Sequence, residues 1–325
     1  YDFSQSLTHV SDIFDSADLA LGNLETMVAP SFPLSSDALY VDGRPHLNAP
    51  FSYLEMVRGA GIDAVFSAQN HLYDTGTQGI LETLDALNDA QLIHGGLYAS
   101  PDEPRYVLFS INGMTIGVVA HLDPVRQKMK KSSFTDEGLD ALTSLLRPEL
   151  VHRDIAAARA AGAEFIVAYC HWGGEYTEKI SARQSRFAQM VADAGADYIF
   201  GSHSHCPQPY TRLTSESGRE VPVVYSGGNF VSFIDRHHPI TLDTFIGSLT
   251  LTRDENGAVV MKEDGYLPCR IVADRGIRGR VSVAALDDLD SGLLGYAPEV
   301  ARADRARIAA VLGEDYRSLP RSAFS

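Results

Sequence analysis

The sequence predicts an α/β protein, with layered β-sheets flanked by helices and mostly parallel core strands to which hairpins are added. Three observations carry that expectation. First, the central stretch Glu164 to Tyr210 reads strand, helix, strand. Phe165 to Cys170 is an unbroken apolar run, Ser181 to Ala194 sets Phe187, Met190 and Val191 at helical spacing, and Tyr198 to Phe200 is apolar again. A βαβ unit of that length holds its strands parallel and buried. Second, a short strand-like run, Asp63 to Ser67, is likewise bracketed by helical periods. Third, Asn112-Gly113 and Asn256-Gly257 each separate two β-rich runs, a strong hairpin signal.

From the amino end, apolar residues at 3, 7, 10, 13 and 14 predict a helix over Phe3 to Ser16. Ala17 to Leu21 follows as a short strand that ends in Gly22-Asn23-Leu24-Glu25. Val28 to Pro50, rich in Pro, Ser, Asp and Gly, reads as a loop, and a loop of that length inside a domain is often functional. Phe51 to Gly59 is a helix. Thr77 to Asp89 is another, with Ile80, Leu81, Leu84 and Leu87 on one face. Arg105 to Ser110 pairs with Met114 to Ala120, and His121, which ends the second strand, reads as a hydrogen-bonded structural residue. Leu139 to Ala161 is mostly helical.

Beyond the βαβ unit, Gln208 to Leu213 is extended, and a turn at Ser215 to Gly218 leads to Val221 to Tyr225. Ser226-Gly227-Gly228-Asn229-Phe230 follows, and adjacent glycines after a strand allow close backbone approach to a ligand. Gly247 to Thr252 and Ala258 to Lys262 form the second hairpin. Ser282 to Ser325 is charged, Ala-rich and mostly helical. The expected organisation is therefore a catalytic domain over 1–281 and a helical extension, 282–325, packed on its outside.

At 325 residues and 45% hydrophobic, the chain can bury a large core. Its net charge of −15 argues against a nucleic-acid backbone as partner. Arg outnumbers Lys 22 to 5, so the cations suit planar, bidentate anion contacts. The basic run at Arg126 to Ser133 holds three of the lysines and reads as a solvated loop that could also hold an acidic substrate or peptide. Cys170, Cys206 and Cys269 are scattered and form no disulfide framework. No apolar run approaches the roughly 18 residues of a membrane helix. With no secretory signal visible, the cytoplasm is the default expectation, an upstream signal aside.

The chemistry sits at strand ends, where open α/β sheets bind ligands. Four such corners carry Glu25, then Asn70-His71 with Asp74 three residues on, then His171, then His203 and His205. One carboxylate, an amide oxygen and several imidazoles suit Mn, Zn or Fe better than Mg or Ca. His203 and His205 lie two apart just beyond a strand end, and Gly201 is the expected source of the turn that aims both inward. Paired His237 and His238, beside Arg236 on a loop, read as acid/base groups or as exposed surface.

Taken in order, GNLE, NHxxDxG, HWGxEY, GSHxH and YSxGNF resemble the CapA family, named for poly-γ-glutamate capsule proteins. The resemblance covers about Ala17 to Phe230 and implies a calcineurin-like metallophosphatase fold. It implies Glu25, Asn70, His171, His203 and His205 as holders of one or two divalent ions and His71 as the general acid/base. It also places Asn23, Trp172, Glu175, Tyr225 and Asn229 along the pocket. There are departures. The family opens with a strand ending in a metal-binding Gly-Asp; none stands before Ala17 in this sequence, so either that strand lies upstream of Tyr1 or the first metal site is altered. AQNH stands where ANNH is common, and YSGGNF where YSLGNF is common. His237 and His238 lie outside the pattern.

Three enzymatic readings follow. Phosphoester cleavage ranks lowest, because Asn23 stands near where the superfamily has a bridging acid. Hydrolysis of a polyglutamate or peptide amide is the second. The third, and favoured, is metal-assisted epimerisation of a peptide at Cα, as in similar CapA-like proteins of lasso-peptide pathways. It uses His71 and His237 or His238 as the opposed acid and base. A non-catalytic binding protein for capsule polymer is the reading from another class.

Overall fold

The computed structural model describes residues 2–35, 46–124, 138–232, 239–273 and 280–324. Its first sheet is parallel, in the order β1 (Leu21–Asn23), β2 (Ala64–Phe66), β3 (Ile93–Gly95). The second is the large one: β4 (Val107–Ile111), β5 (Met114–Leu122), β6 (Phe165–His171), β7 (Tyr198–Ser202), β8 (Pro207–Thr214) and β9 (Glu220–Gly227), arranged 4-5-6-7-9-8. β5, β6, β7 and β9 run parallel, and the edge strands β4 and β8 are antiparallel. A third, antiparallel sheet holds β10 (Asp243–Arg253), β11 (Val259–Ala273) and β12 (Val281–Ala285). The helices are α1 (Ser11–Asp15), α2 (Ser52–Gly59), α3 (Gly76–Asp89), α4 (Pro148–Ala160), α5 (Ala182–Asp193), α6 (Leu286–Asp290) and α7 (Pro298–Leu312). The architecture is the expected one: layered sheets, a mostly parallel core and flanking helices.

Local chemistry explains most boundaries. The buried stretch Phe165–His171 forms β6, and Ser181 opens α5 through a capping box with Gln184. The amino-terminal segment departs from expectation: only Ser11–Asp15 is helical. Leu7, Val10 and Ile13 are buried as their spacing implies, but the Thr8 and Ser11 hydroxyls bond to backbone carbonyls three residues back and favour turns. Leu139 to Ala161 splits into a short 3-10 turn and α4, because Arg147, ahead of Pro148, is extended. The stretch from Ser282 begins as β12, not as helix. The expected boundary at 281/282 thus falls inside a strand paired to β11. Asp243 on β10 accepts bonds from Arg270 on β11 and Arg307 on α7, which ties the carboxyl-terminal helix to this sheet.

Among the described residues, β1 and β10 each pair on one side only. Their other edges border a common cavity of about 810 Å³, touched by every residue in 17–25 and in 244–251. One end of this crevice reaches His203, His205 and Asn229. Among the described residues no helix is long and apolar enough to cross a membrane.

Candidate metal centre

Parallel strands deliver their carboxyl ends to one rim. After β1 the chain is held to β2, with Leu24 N–H donating to the Phe66 carbonyl at 2.9 Å, and then presents Glu25. After β2, the Gln69 side chain accepts the His71 N–H at 2.5 Å and caps a 3-10 turn, Asn70–Asp74, whose five residues are all buried. β6 ends on His171, which pairs in register with Ser202 at the end of β7. His203 and His205 follow with φ of +94° and +60°. Left-handed backbone at two non-glycine residues is costly and collects at functional sites. It is the turn that aims both rings inward. The expected source, Gly201, lies within β7 and serves packing instead. A Cβ there would stand 2.0 Å from the Tyr225 carbonyl oxygen and 2.5 Å from Trp172 Nε1.

The groups converge. Ligand atoms of Glu25, His171 and His203 all lie within 4.8 Å of one another. Glu25 Oε1 is 3.4 Å from His171 Nε2, 3.7 Å from His203 Nδ1 and 4.0 Å from His205 Nε2. Asn70 Oδ1 is 2.6 Å from His171 Nε2, whereas Asn70 Nδ2 has no hydrogen-bond partner among the described residues. A buried amide that turns its oxygen inward and leaves its donor unused is what a cation at this point would favour. The donor chemistry and this unsatisfied amide fit a divalent ion held by Glu25, Asn70, His171 and His203, with His205 at the margin.

Other candidates take distinct places. His71 Nδ1 lies 2.7 Å from Asp74 Oδ2, which also accepts the Leu47 N–H at 2.7 Å. Glu175 Oε1 stands 3.9 Å from His203 Nε2, whereas Glu25 faces Nδ1 of the same ring. Asn229 Oδ1 meets His205 Nδ1 at 2.9 Å, and its amide nitrogen donates to the Thr241 carbonyl. Asn23 Oδ1 accepts from the Ser202 hydroxyl at 3.2 Å. Trp172 and Tyr225, expected along the pocket, are instead packed inside, 0% and 2% exposed. The Trp172 indole N–H donates to the Tyr225 carbonyl at 2.9 Å. Trp172→Phe is expected to leave that carbonyl without its indole donor and to destabilise the fold by about 1–3 kcal/mol, read by urea denaturation. Arg236, His237, His238 and the basic run at 126–131 lie outside the described residues.

Three residues of the site were not anticipated: Ser202, Gln69 and Tyr176, whose ring stacks on His205 at 5.3 Å. Each adjoins a motif residue in the chain or in space, but a serine or glutamine there carries no signature of its own. The cysteines stay out of the chemistry. Burial pushes the Cys206 thiol up to about 12 and raises Cys170 and Cys269 further, so none supplies a thiolate near neutral pH.

A family model described as bacterial capsule synthesis protein PGA_cap matches residues 1–233. The chain belongs to this family. The capsule biosynthesis protein CapA of Bacillus anthracis is 28% identical over 229 residues, 69% of this chain and 52% of its own length. The PGA biosynthesis protein CapA of Bacillus subtilis (strain 168) is 29% identical over 225 residues, 69% of this chain and 55% of its own. A probable polyglutamine synthesis accessory protein of Mycobacterium tuberculosis is 24% identical, covering 63% and 54%. The chain spans about half the length of these relatives. Among solved structures, the calcineurin-like phosphoesterase YfkN of Bacillus subtilis aligns over 78% of this chain and 72% of its own, with 16% identity and a TM-score of 0.44. A hypothetical protein from Thermus thermophilus aligns over 85% and 89%, with 15% identity and a TM-score of 0.43. Glu25, Asn70, His171, His203, His205 and Asn229 all fall within the PGA_cap match, whereas β10 to α7 lie beyond it.

Proposed function

We propose that this PGA_cap chain holds a divalent metal ion at Glu25, Asn70, His171 and His203 and acts on a polyamide of the peptide or polyglutamate class. The observation that carries the reading is the meeting of Glu25, His171 and His203 from three separate strand ends. The PGA and polyglutamine synthesis roles named for the Bacillus subtilis and Mycobacterium tuberculosis relatives support the substrate class. Imidazole and carboxylate together favour Mn, Zn or Fe.

A bound ion supplies Lewis acidity toward an amide or carboxylate oxygen of the substrate. The chain's own residues do the rest. Asp74 fixes the proton of His71 on Nδ1, which reserves Nε2 for moving a proton at the substrate. Glu25 is the carboxylate that meets His171 and His203 together, Glu175 stands on the far side of His203, and Asn23 holds an amide beside Ser202. That favours exchange of the Cα proton, and so epimerisation, over attack by a hydroxide shared between two ions. Amide hydrolysis is the second reading. It is favoured by the single acid/base dyad at the described site, since inversion needs an acid and a base on opposite faces.

Incubating poly-γ-glutamate and short glutamyl peptides with metal-loaded protein in deuterated water separates the two. Deuterium at Cα without new termini supports epimerisation, and new termini without exchange support hydrolysis. The absence of both refutes polyamide chemistry. His71→Ala is expected to keep its metal by elemental analysis while turnover falls about 10²- to 10⁴-fold. Loss of metal from that variant would place His71 among the ligands.

A further inference from the structure

We infer that Ser202 is a positioning residue that sets which nitrogen of His171 faces the metal site. The inference rests on the metal-centre reading above. It follows from counting protons in one chain of contacts. Ser202 Oγ lies 3.0 Å from His171 Nδ1 and 3.2 Å from Asn23 Oδ1. The hydroxyl has one hydrogen and Asn23 Oδ1 is an acceptor only, so a hydrogen bond along that contact uses it. With that hydrogen on Asn23, Ser202 Oγ meets His171 as an acceptor and His171 Nδ1 is the donor, in competition with the 2.6 Å contact that would place the proton on Nε2 toward Asn70 Oδ1. A neutral imidazole with its proton on Nδ1 carries its lone pair on Nε2.

Nε2 is the nitrogen that faces Asn70 Oδ1 at 2.6 Å and Glu25 Oε1 at 3.4 Å. In that tautomer Nε2 presents its lone pair to the same place as Asn70 Oδ1 and Glu25 Oε1, which a cation there would favour. Without the serine hydroxyl, neutral His171 would move its proton to Nε2 and donate it to Asn70 Oδ1. That hydrogen bond would compete with the metal for both ligands. The backbone geometry fits the role: His171 and Ser202 are register partners on β6 and β7, and Trp172 N–H bonds the Ser202 carbonyl at 3.3 Å. The sheet thus holds the two residues side by side. Groups that hydrogen-bond a metal-ligating imidazole typically change metal affinity about 10- to 100-fold when removed.

Ser202→Ala should weaken zinc or manganese binding by about that factor in calorimetric titration of the full chain, and Ser202→Thr, which keeps the hydroxyl, should restore it. The deciding readout is the ¹⁵N spectrum of the histidine side chains in metal-free protein, at a pH where the imidazoles are neutral. His171 should be protonated on Nδ1 in the wild type and on Nε2 in Ser202→Ala. Asn23→Leu gives a second route that leaves the serine in place. With Asn23 Oδ1 gone, the hydroxyl turns to donate to His171 Nδ1, and the same switch to Nε2–H is expected. An unchanged tautomer in Ser202→Ala and Asn23→Leu overturns the inference, as does unchanged metal affinity in Ser202→Ala. If the wild type binds neither metal, the metal-centre reading fails, while the tautomer measurement still decides the role of Ser202.

Discussion

Asparagine or alanine at His203 is expected to strip the protein of its metal and reduce turnover to background. His203 lies between two carboxylates, with Nδ1 3.7 Å from Glu25 and Nε2 3.9 Å from Glu175, and its ring centroid is 4.6 Å from that of His171. Removing a ligand should weaken binding by more than the roughly 10- to 100-fold expected from its hydrogen-bonded neighbours. The backbone there has φ +94°, where alanine is strained and asparagine is tolerated. His203→Asn therefore separates loss of metal from loss of fold. His205→Ala should have a smaller effect, because His205 Nε2 is 4.0 Å from Glu25 and its Nδ1 is already engaged by Asn229. Metal content after gel filtration measures both. Full metal occupancy in His203→Asn would remove the centre from consideration.

The largest structural effect is expected at Gly201. A methyl group there meets the Tyr225 carbonyl at 2.0 Å and the Trp172 indole nitrogen at 2.5 Å, and both belong to buried residues. Neither can retreat without opening the β7–β9 pairing or breaking the indole–carbonyl bond. Gly201→Ala should destabilise the fold by about 3 kcal/mol or more, the upper end of what overpacking does. Gly113→Ala is the control: φ is +74° with nothing within 4 Å, so only backbone strain of about 1 kcal/mol applies. Equal denaturation midpoints for the two variants would show that the contact at Gly201 relaxes freely.

The parts of this protein that could be read in advance are those in which a residue type reports its own surroundings. The apolar run Phe165 to Cys170 reads as a buried strand and Asn112-Gly113 as a hairpin turn, and both form as read. The histidines of the candidate site are legible because each follows a strand, and parallel strands bring such ends to one rim. The rest depended on tertiary context. The spacing of Leu7, Val10 and Ile13 reported burial faithfully, but side-chain hydroxyls chose turns over helix. Trp172 sits in a motif beside His171, yet its neighbours bury it. Glycine is the usual holder of positive φ, so the sequence points to Gly201 for the turn at His203 and His205, whereas the histidines adopt it themselves.

The bare edges of β1 and β10 have a practical consequence. Each offers a row of amide hydrogens and carbonyls with no strand alongside among the described residues, next to an apolar hollow of about 810 Å³. Such rows are templates on which another chain can crystallise its own strand. Concentrated solutions of this polypeptide should therefore tend toward sticky, sheet-rich clusters, and lysine substitutions facing the hollow should keep it monodisperse.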